Sequence, residues 1–509
     1  MEAETPVLSI RREASQARSW ASRPLCVLIG IVGTATIATA QSSGTFSRAS
    51  DMTIARSGHS ATLLPNGQVL IAGGTSTSSF SSTRVLDSAE VYDPEANAFR
   101  SIGTMTTARR MHTATLLPDG TVLIVGGYDE GGALAGAELY DPVAGTFRAT
   151  GSLGTARGGH TAILLPTGKV LVIGGYGTRA YPDVAPAELY DPASRTFSAA
   201  GGYVGRGGCD FCAPSVLLSD GTVLFPGQYP AQLYDPRSDS FSPGGMMISD
   251  QQGAVALTNG KVLFAGGVEI GRSSRAELYD PGTHTFASTG NMAWPRDWHT
   301  LTWLPNGMVL AAGGETESCT GNACTFAGSV ASAELYDPST GAFFATGSMA
   351  AIRSSHTATL LRDGRVLVAG GVAYGGIGIF YGSLASAEVY TPDVLVAGPA
   401  LVTASGDGRG QGAIFHAGTT HLATPGDPAA ANEDLDIYAT GLRTDSAFRP
   451  QVALGGRIAP VQAVSQAPGV PGVNQVRVRV PPGVEPGPAV PVRLTYVDRP
   501  SNEVTIAVR

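Results

Sequence analysis

An arginine followed three residues later by a histidine recurs in five places: Arg56 and His59, Arg109 and His112, Arg157 and His160, Arg296 and His299, Arg353 and His356. Imidazole close to guanidinium could serve proton transfer or metal binding. The regularity argues against both. A catalytic centre needs different groups in different roles, whereas equivalent histidines indicate a repeated structural role such as hydrogen bonding between neighbouring units. Equivalent groups spread around a repeat also sit too far apart to converge on one ion. At the same positions two further units carry Ala213 with Asp210 and Gln252 with Ser249. A glutamate later in each unit (Glu90, Glu138, Glu188, Glu277, Glu334 and Glu388) becomes Gln232 in the unit that has Asp210. Buried Arg–Glu pairs that are lost together explain this. Glu277, which keeps its carboxylate without an arginine, breaks the match.

Departures from the repeat say more about function. Trp294, Trp298 and Trp303 all lie in the segment WPRDWHTLTW. Trp303 replaces a leucine of the Leu116 kind and reads as packing. Trp298 stands where other units have Gly58, Met111, Gly159 and Ser355. Flat rings beside a carboxylate suit sugars, whose C–H faces stack while their hydroxyls hydrogen-bond. The candidate ligand-binding residues are therefore Trp294, Arg296, Asp297, Trp298 and His299, the alternative being that the rings cover a wide junction between units. A second departure, RGGCDFCAP, brings Cys209 and Cys212 together, and Cys319 and Cys324 form another close pair. Four cysteines in an exported chain are expected as disulfides, most simply the two local pairs, with a four-cysteine metal site as the rival reading.

These residues are carried by short strands. The chain has 509 residues, 67 of them glycine and 33 proline, with 43% apolar and 15% charged residues. Apolar runs are short and separated by turn residues, and none has the length and period of an amphipathic helix. The net charge of −8 comes with scattered Lys and Arg, so no nucleic-acid partner is expected. Each unit has an apolar run, a turn such as PDG, a second run closing on Gly-Gly, a loop, a Tyr-Asp-Pro strand and an aromatic-centred run. Gly-Gly pairs begin at Gly73, Gly126, Gly174, Gly266, Gly313 and Gly370, with Pro226-Gly227 as a degenerate copy. Tyrosines of the third strand fall at Tyr92, Tyr140, Tyr190, Tyr234, Tyr279, Tyr336 and Tyr390, which makes seven units.

Four short strands per unit of this length is the pattern of a β-propeller blade, and residues 44–392 resemble the kelch-repeat family. The resemblance implies an all-β, seven-bladed kelch propeller, a fold used for partner binding and, in galactose-oxidase-like enzymes, for catalysis. GTFSRASDMTIARSGH, from Gly44, resembles the fourth strand of other units and precedes the first, so it is expected to complete blade seven and protect its edge. In galactose-oxidase-like copper enzymes a Phe-Cys pair begins one blade, and its cysteine is bonded to a tyrosine copper ligand that begins the next. Phe211-Cys212 matches the first element, but Gln251 stands where the tyrosine belongs, and no Tyr-His dipeptide occurs. No metal and no cofactor are expected. A Gly-x-Ser-x-Gly elbow, His-Glu-x-x-His and a P-loop are also missing from the sequence.

Arg11, Arg12, Arg18 and Arg23 precede the apolar run PLCVLIGIVGTATIATA, which reads as a signal peptide over residues 1–40. The expectation is a secreted, periplasmic or cell-surface protein with no membrane span in the mature chain. Residues 41–395 are read as the propeller. Residues 396–509 alternate apolar and polar positions between prolines and look like a small Ig-like β-sandwich, resembling a C-terminal domain common on exported bacterial proteins. His416 and His421 there are expected at the surface.

In a four-stranded blade the tight turns gather on one face and the remaining connections on the other. The long irregular loops, residues 75–88, 176–186, 315–332 and 372–386, all belong to the second face, which is where binding is expected. The sequence reading is a non-catalytic binding or interaction module for carbohydrate or another extracellular polymer. One alternative is a sugar-active enzyme, either a diverged oxidase or a carboxylate-based hydrolase or lyase. The other is a structural surface protein with protein partners.

Overall fold

Runs such as Val69–Ala72, Val122–Val125 and Val170–Ile173 are buried at every residue. Strands covered on both faces must lie between layers, which a ring of packed sheets provides. The computed structural model describes residues 44–509 except 80–81, 178–185, 202–213, 227–229, 249–252, 270, 321–322, 378, 397, 445 and 497–498. Among the described residues there is no helix, and seven sheets are four-stranded and antiparallel. We call these sheets blades. Blade one runs Ser60–Leu63, Val69–Ala72, Ser88–Asp93, Ala98–Thr104, and the innermost strands of the next six are Thr113–Leu116, Thr161–Leu164, Val216–Leu217, Gly253–Ala256, Thr300–Trp303 and Thr357–Leu360.

The ring closes at two places. The innermost strand of blade seven packs on that of blade one. At the rim, Thr45–Arg48 pairs antiparallel with Ala387–Thr391, so the outer strand of blade seven comes from the start of the described chain. Cores lie between blades: Leu70, Ala72 and Val91 of blade one share a cluster with Val122, Ile124 and Tyr140 of blade two. The tyrosine of each Tyr-Asp-Pro strand is buried against a phenylalanine of the outer strand, as in Tyr92 on Phe99 and Tyr336 on Phe343, both at 4.9 Å between centroids.

Two five-stranded sheets follow. One contains Asp434–Thr440 and Val473–Arg479, the other Gln451–Leu454 and Gly487–Tyr496. They enclose one apolar core that includes Leu435, Ile437, Val452, Val476, Val492 and Leu494. These sheets sit against the tight-turn face of the propeller. Arg493 Nη1 donates to the Pro118 carbonyl of blade two (3.1 Å), the Ala447 amide to Thr258 of blade five (2.9 Å), and Arg362 Nη2 of blade seven to Ser501 (2.6 Å). His416 is more enclosed than the sequence indicates: its side chain is 14% exposed and bonds Glu433 through Nδ1, whereas His421 is exposed.

Away from those turns, the connections between second and third strands rise as hairpins. A short one in blade five pairs Val268–Glu269 with Gly271–Arg272, and three longer ones are Thr75–Ser79 with Ser82–Val85 in blade one, Glu315–Thr320 with Ala323–Ser329 in blade six, and Val372–Gly376 with Ile379–Ser383 in blade seven. The three pack side by side, blade six on seven and seven on one.

Candidate functional site

The segment leading into each innermost strand is anchored by the recurrent arginine. Arg109 donates through Nη1 to the Gly126 and Gly136 carbonyls (2.7 and 3.0 Å) and through Nη2 to Glu138 (2.7 Å), and its own carbonyl accepts the Gly74 amide of the preceding blade (2.8 Å). One residue therefore fixes its own blade and the junction before it. The pairs Arg56–Glu90, Arg157–Glu188, Arg296–Glu334 and Arg353–Glu388 repeat this at 2.6 to 2.9 Å. Burial pulls the guanidinium pKa values of Arg56, Arg157, Arg296 and Arg353 below the ordinary value, and the facing glutamates oppose that shift. The glutamate also holds main chain, since Glu138 accepts the Thr106 and Thr107 amides (2.7 and 3.2 Å). In blade five, where Ser249 takes the place of the repeat's arginine, Glu277 retains this second role and accepts the Ile248 amide at 3.0 Å.

The histidines tie each blade to the one before. Nε2 of His112, His160, His356 and His59 shares a hydrogen bond with the hydroxyls of Ser60, Thr113, Thr300 and Thr357, at 2.9, 2.8, 3.2 and 3.0 Å. The Gly-Gly pairs make room for them. A Cβ on Gly73 would meet the His112 ring at 2.9 Å, and one on Gly74 would meet the His59 Cβ at 2.8 Å, while both glycines have positive φ. Burial, with the neighbouring arginine charge, pushes His112, His160 and His299 down to about 3 and holds His59 and His356 well below the usual range. These imidazoles are neutral at physiological pH.

His299 departs from the pattern. The residue facing it in blade five is Gly253, which has no hydroxyl, and both His299 ring nitrogens are buried without a hydrogen-bond partner. The residue before each histidine is left-handed, with φ of 59° at Gly58, 52° at Met111, 68° at Gly159, 52° at Trp298 and 51° at Ser355. Main-chain bonds join these residues from blade to blade. The Ser355 amide donates to Trp298, Gly58 to Ser355, Met111 to Gly58 and Gly159 to Met111, at 2.9 to 3.3 Å. Side-chain size alone does not explain the small residues there. The left-handed backbone is the further reason, and a tryptophan there is conformationally costly.

Of the five candidate residues in blade six, the structure brings ring surface to the open face at Trp294, which is 59% exposed, and partly at Trp298. Arg296 is a correction. It is fully buried on Glu334 and does the repeat's structural work, so it does not reach a ligand on the surface. Asp297 is also a correction: at 3% exposure it does not present a carboxylate beside an exposed ring. It stands opposite Glu315 with both main-chain bonds formed, at 3.1 and 2.8 Å, and Glu315 is held by the Ser354 hydroxyl (2.9 Å). Trp303 is buried, as packing requires.

Cys319 and Cys324 are direct partners in the register of the blade-six hairpin. Cys209, Cys212, Phe211 and Gln251 lie outside the described residues. A copper centre needs several ligands on one ion. Among the described residues no three His, Cys, Asp or Glu side chains converge in that way, and four of the ring histidines are engaged by hydroxyls in four different blades. No helix among the described residues is long and apolar enough to cross a membrane.

The Kelch motif matches residues 55–106, from the Arg56 lead-in of blade one to the lead-in of blade two. No curated protein matches the sequence. Among solved structures the chain is similar to a novel fungal alcohol oxidase of the AA5 family in complex with copper, at 17% identity and a TM-score of 0.58, over 91% of this chain and 99% of that one. At that identity the likeness is one of fold.

Proposed function

The chain has a kelch-type β-propeller fold, and on that footing we propose that it is an exported binding module whose hairpin face engages carbohydrate without transforming it. The observation that carries this reading is the exposed ring of Trp294 on the face that the C-terminal sheets leave open. Binding residues concentrate where loops are held by a rigid scaffold, and here the scaffold is fixed by buried Arg–Glu and His–hydroxyl contacts. At 59% exposure the Trp294 ring keeps surface free for contact, and its face suits the C–H surface of a sugar. Export rests on the apolar run before Gln41 with its preceding arginines.

The test is retention of the mature chain on a panel of immobilised polysaccharides, with product analysis of every positive. Retention without product, weakened by Trp294→Ala, supports the reading. Release of oligosaccharides or oxidised sugars would replace it with an enzymatic one.

A further inference from the structure

The aromatic platform in the blade-seven hairpin differs in kind from the tryptophans of blade six. In the strand Ile379–Ser383 side chains alternate between two faces. Phe380 turns toward Tyr374 (5.2 Å between centroids), which meets Phe326 of the blade-six hairpin edge-on at 5.7 Å. Ile379 and Tyr381 take the opposite, outward face. Tyr381 is 64% exposed, yet its ring is not loose. A Cβ on Gly375 would lie 2.7 Å from Tyr381 Oη and 2.8 Å from its Cε2, so one side of the ring lies across the bare backbone of Gly375. One face of the ring is supported and the other is open, the arrangement that lowers the ordering cost of stacking a ligand.

The surroundings define the ligand's charge. The blade-seven strands adjoin those of blade one, where the Thr77 amide donates to Ser383 Oγ (3.1 Å) and a Cβ on Gly382 would meet the Thr77 carbonyl at 2.7 Å. Across Thr75–Ser79, Ser82–Val85, Val372–Gly376 and Ile379–Ser383 the one charged side chain is Arg84, and the exposed remainder is rich in serine and threonine. Such a surface gives a polycation no counter-charge and a polyanion only the single Arg84. It does give a hydroxylated chain a ring to stack on and hydroxyls to bond. We propose that the joined hairpins of blades seven and one bind a neutral polysaccharide, with Tyr381 as the stacking platform and Gly375 as the residue that positions its ring. This rests on the carbohydrate-binding reading of the hairpin face and assigns it to blade seven.

The experiment is affinity electrophoresis of the full mature chain through gels containing a neutral glucan, mannan or galactan, or alginate as polyanion. It compares wild type with Tyr381→Ala, Tyr381→Phe, Gly375→Ala and Trp294→Ala, with folding checked by thermal melting. Retardation by a neutral polymer should weaken about tenfold in Tyr381→Ala, weaken in Gly375→Ala although the tyrosine is retained, and persist in Tyr381→Phe. Neutral-polymer binding that Tyr381→Ala leaves intact and Trp294→Ala removes overturns the assignment to blade seven and keeps the carbohydrate reading, as does retardation by alginate alone. If no polysaccharide retards the wild type, both fail, and a protein partner captured through the same hairpins would be the replacement.

Discussion

Leu301 of blade six lies so close to Gly253 of blade five that a Cβ on residue 253 would stand 2.7 Å from its Cδ1. Other blades have alanine at the Leu301 position, as at Ala61, Ala114 and Ala358, and Ser60, Thr113, Thr161, Thr300 or Thr357 at the Gly253 position. The leucine takes the room of a threonine side chain, and His299 loses the hydroxyl that its counterparts bind. Gly253→Thr alone should therefore overpack the junction and cost about 1–3 kcal/mol. Combined with Leu301→Ala it should recover part of that cost by restoring a hydroxyl to His299, giving a coupling of about 0.5–3 kcal/mol in a urea-denaturation cycle. Strict additivity of the two substitutions would refute the exchange.

The arginine network makes a second, larger prediction. Glu138→Ala leaves Arg109 buried without its charge partner and takes the acceptor from two lead-in amides, at Thr106 and Thr107. The expected loss is about 3–5 kcal/mol, and Glu138→Gln should cost less because its carbonyl oxygen still accepts. Urea midpoints would check both, and a loss for Glu138→Ala no larger than that of an exposed pair would show that the buried pair adds little.

Histidine burial fixes a pH dependence. His112, His160 and His299 are neutral when folded down to about pH 3, whereas in the unfolded chain they protonate near 6.5. The unfolded state binds more protons throughout that window, so this contribution to stability is complete above the unfolded value and falls as pH drops toward 3. Each such group contributes up to about 1.4 kcal/mol per pH unit. His416 runs the other way: burial opposes its charged form, but Glu433 and Asp427 outweigh that and raise its pKa, so its contribution is full below 6.5 and is lost as pH rises through the folded value. Denaturation midpoints from pH 7 to 4 should fall, and His112→Gln should flatten the slope by about one proton.

The repeat is legible in the sequence because one set of contacts recurs. Arg109, His112, the Gly126-Gly127 pair and Glu138 are spaced as they are since each touches the next, so the spacing survives in five blades and fails in two. Glu277 misleads, because the sequence carries no sign of the main-chain amide that it serves. Arg296 and Asp297 read as ligand contacts only while they are judged by their neighbour. Residues beside an exposed Trp294 need not share its exposure, and the packing decides which way they point. Tyr381 escapes a sequence reading for the opposite reason: what distinguishes it is a glycine six residues earlier beneath the ring, and that contact depends on a bulged hairpin register between Tyr374 and Gly376. The cover over the tight-turn face, through Arg362, Ala447 and Arg493, depends on how two parts of the chain pack, for which no short motif exists.

Trp298 can be tested cleanly because of its backbone. At φ 52° it occupies a conformation that glycine adopts freely, and its counterparts Gly58 and Gly159 are glycines. Trp298→Ala would remove the ring but keep the left-handed strain, mixing two effects. Trp298→Gly relieves that strain, worth about 1 kcal/mol, so a ring that serves a ligand should leave with little loss of stability. A ring that seals the junction of blades five and six would behave differently, because removing a packed tryptophan costs about 3–5 kcal/mol, more than the relieved strain returns. Urea denaturation and polysaccharide retention of Trp298→Gly, measured together, separate the two. An unchanged midpoint with weakened retention assigns the ring to the binding face. A fall of several kcal/mol with retention intact assigns it to packing, and leaves Trp294 and Tyr381 as the exposed rings on which binding must rest.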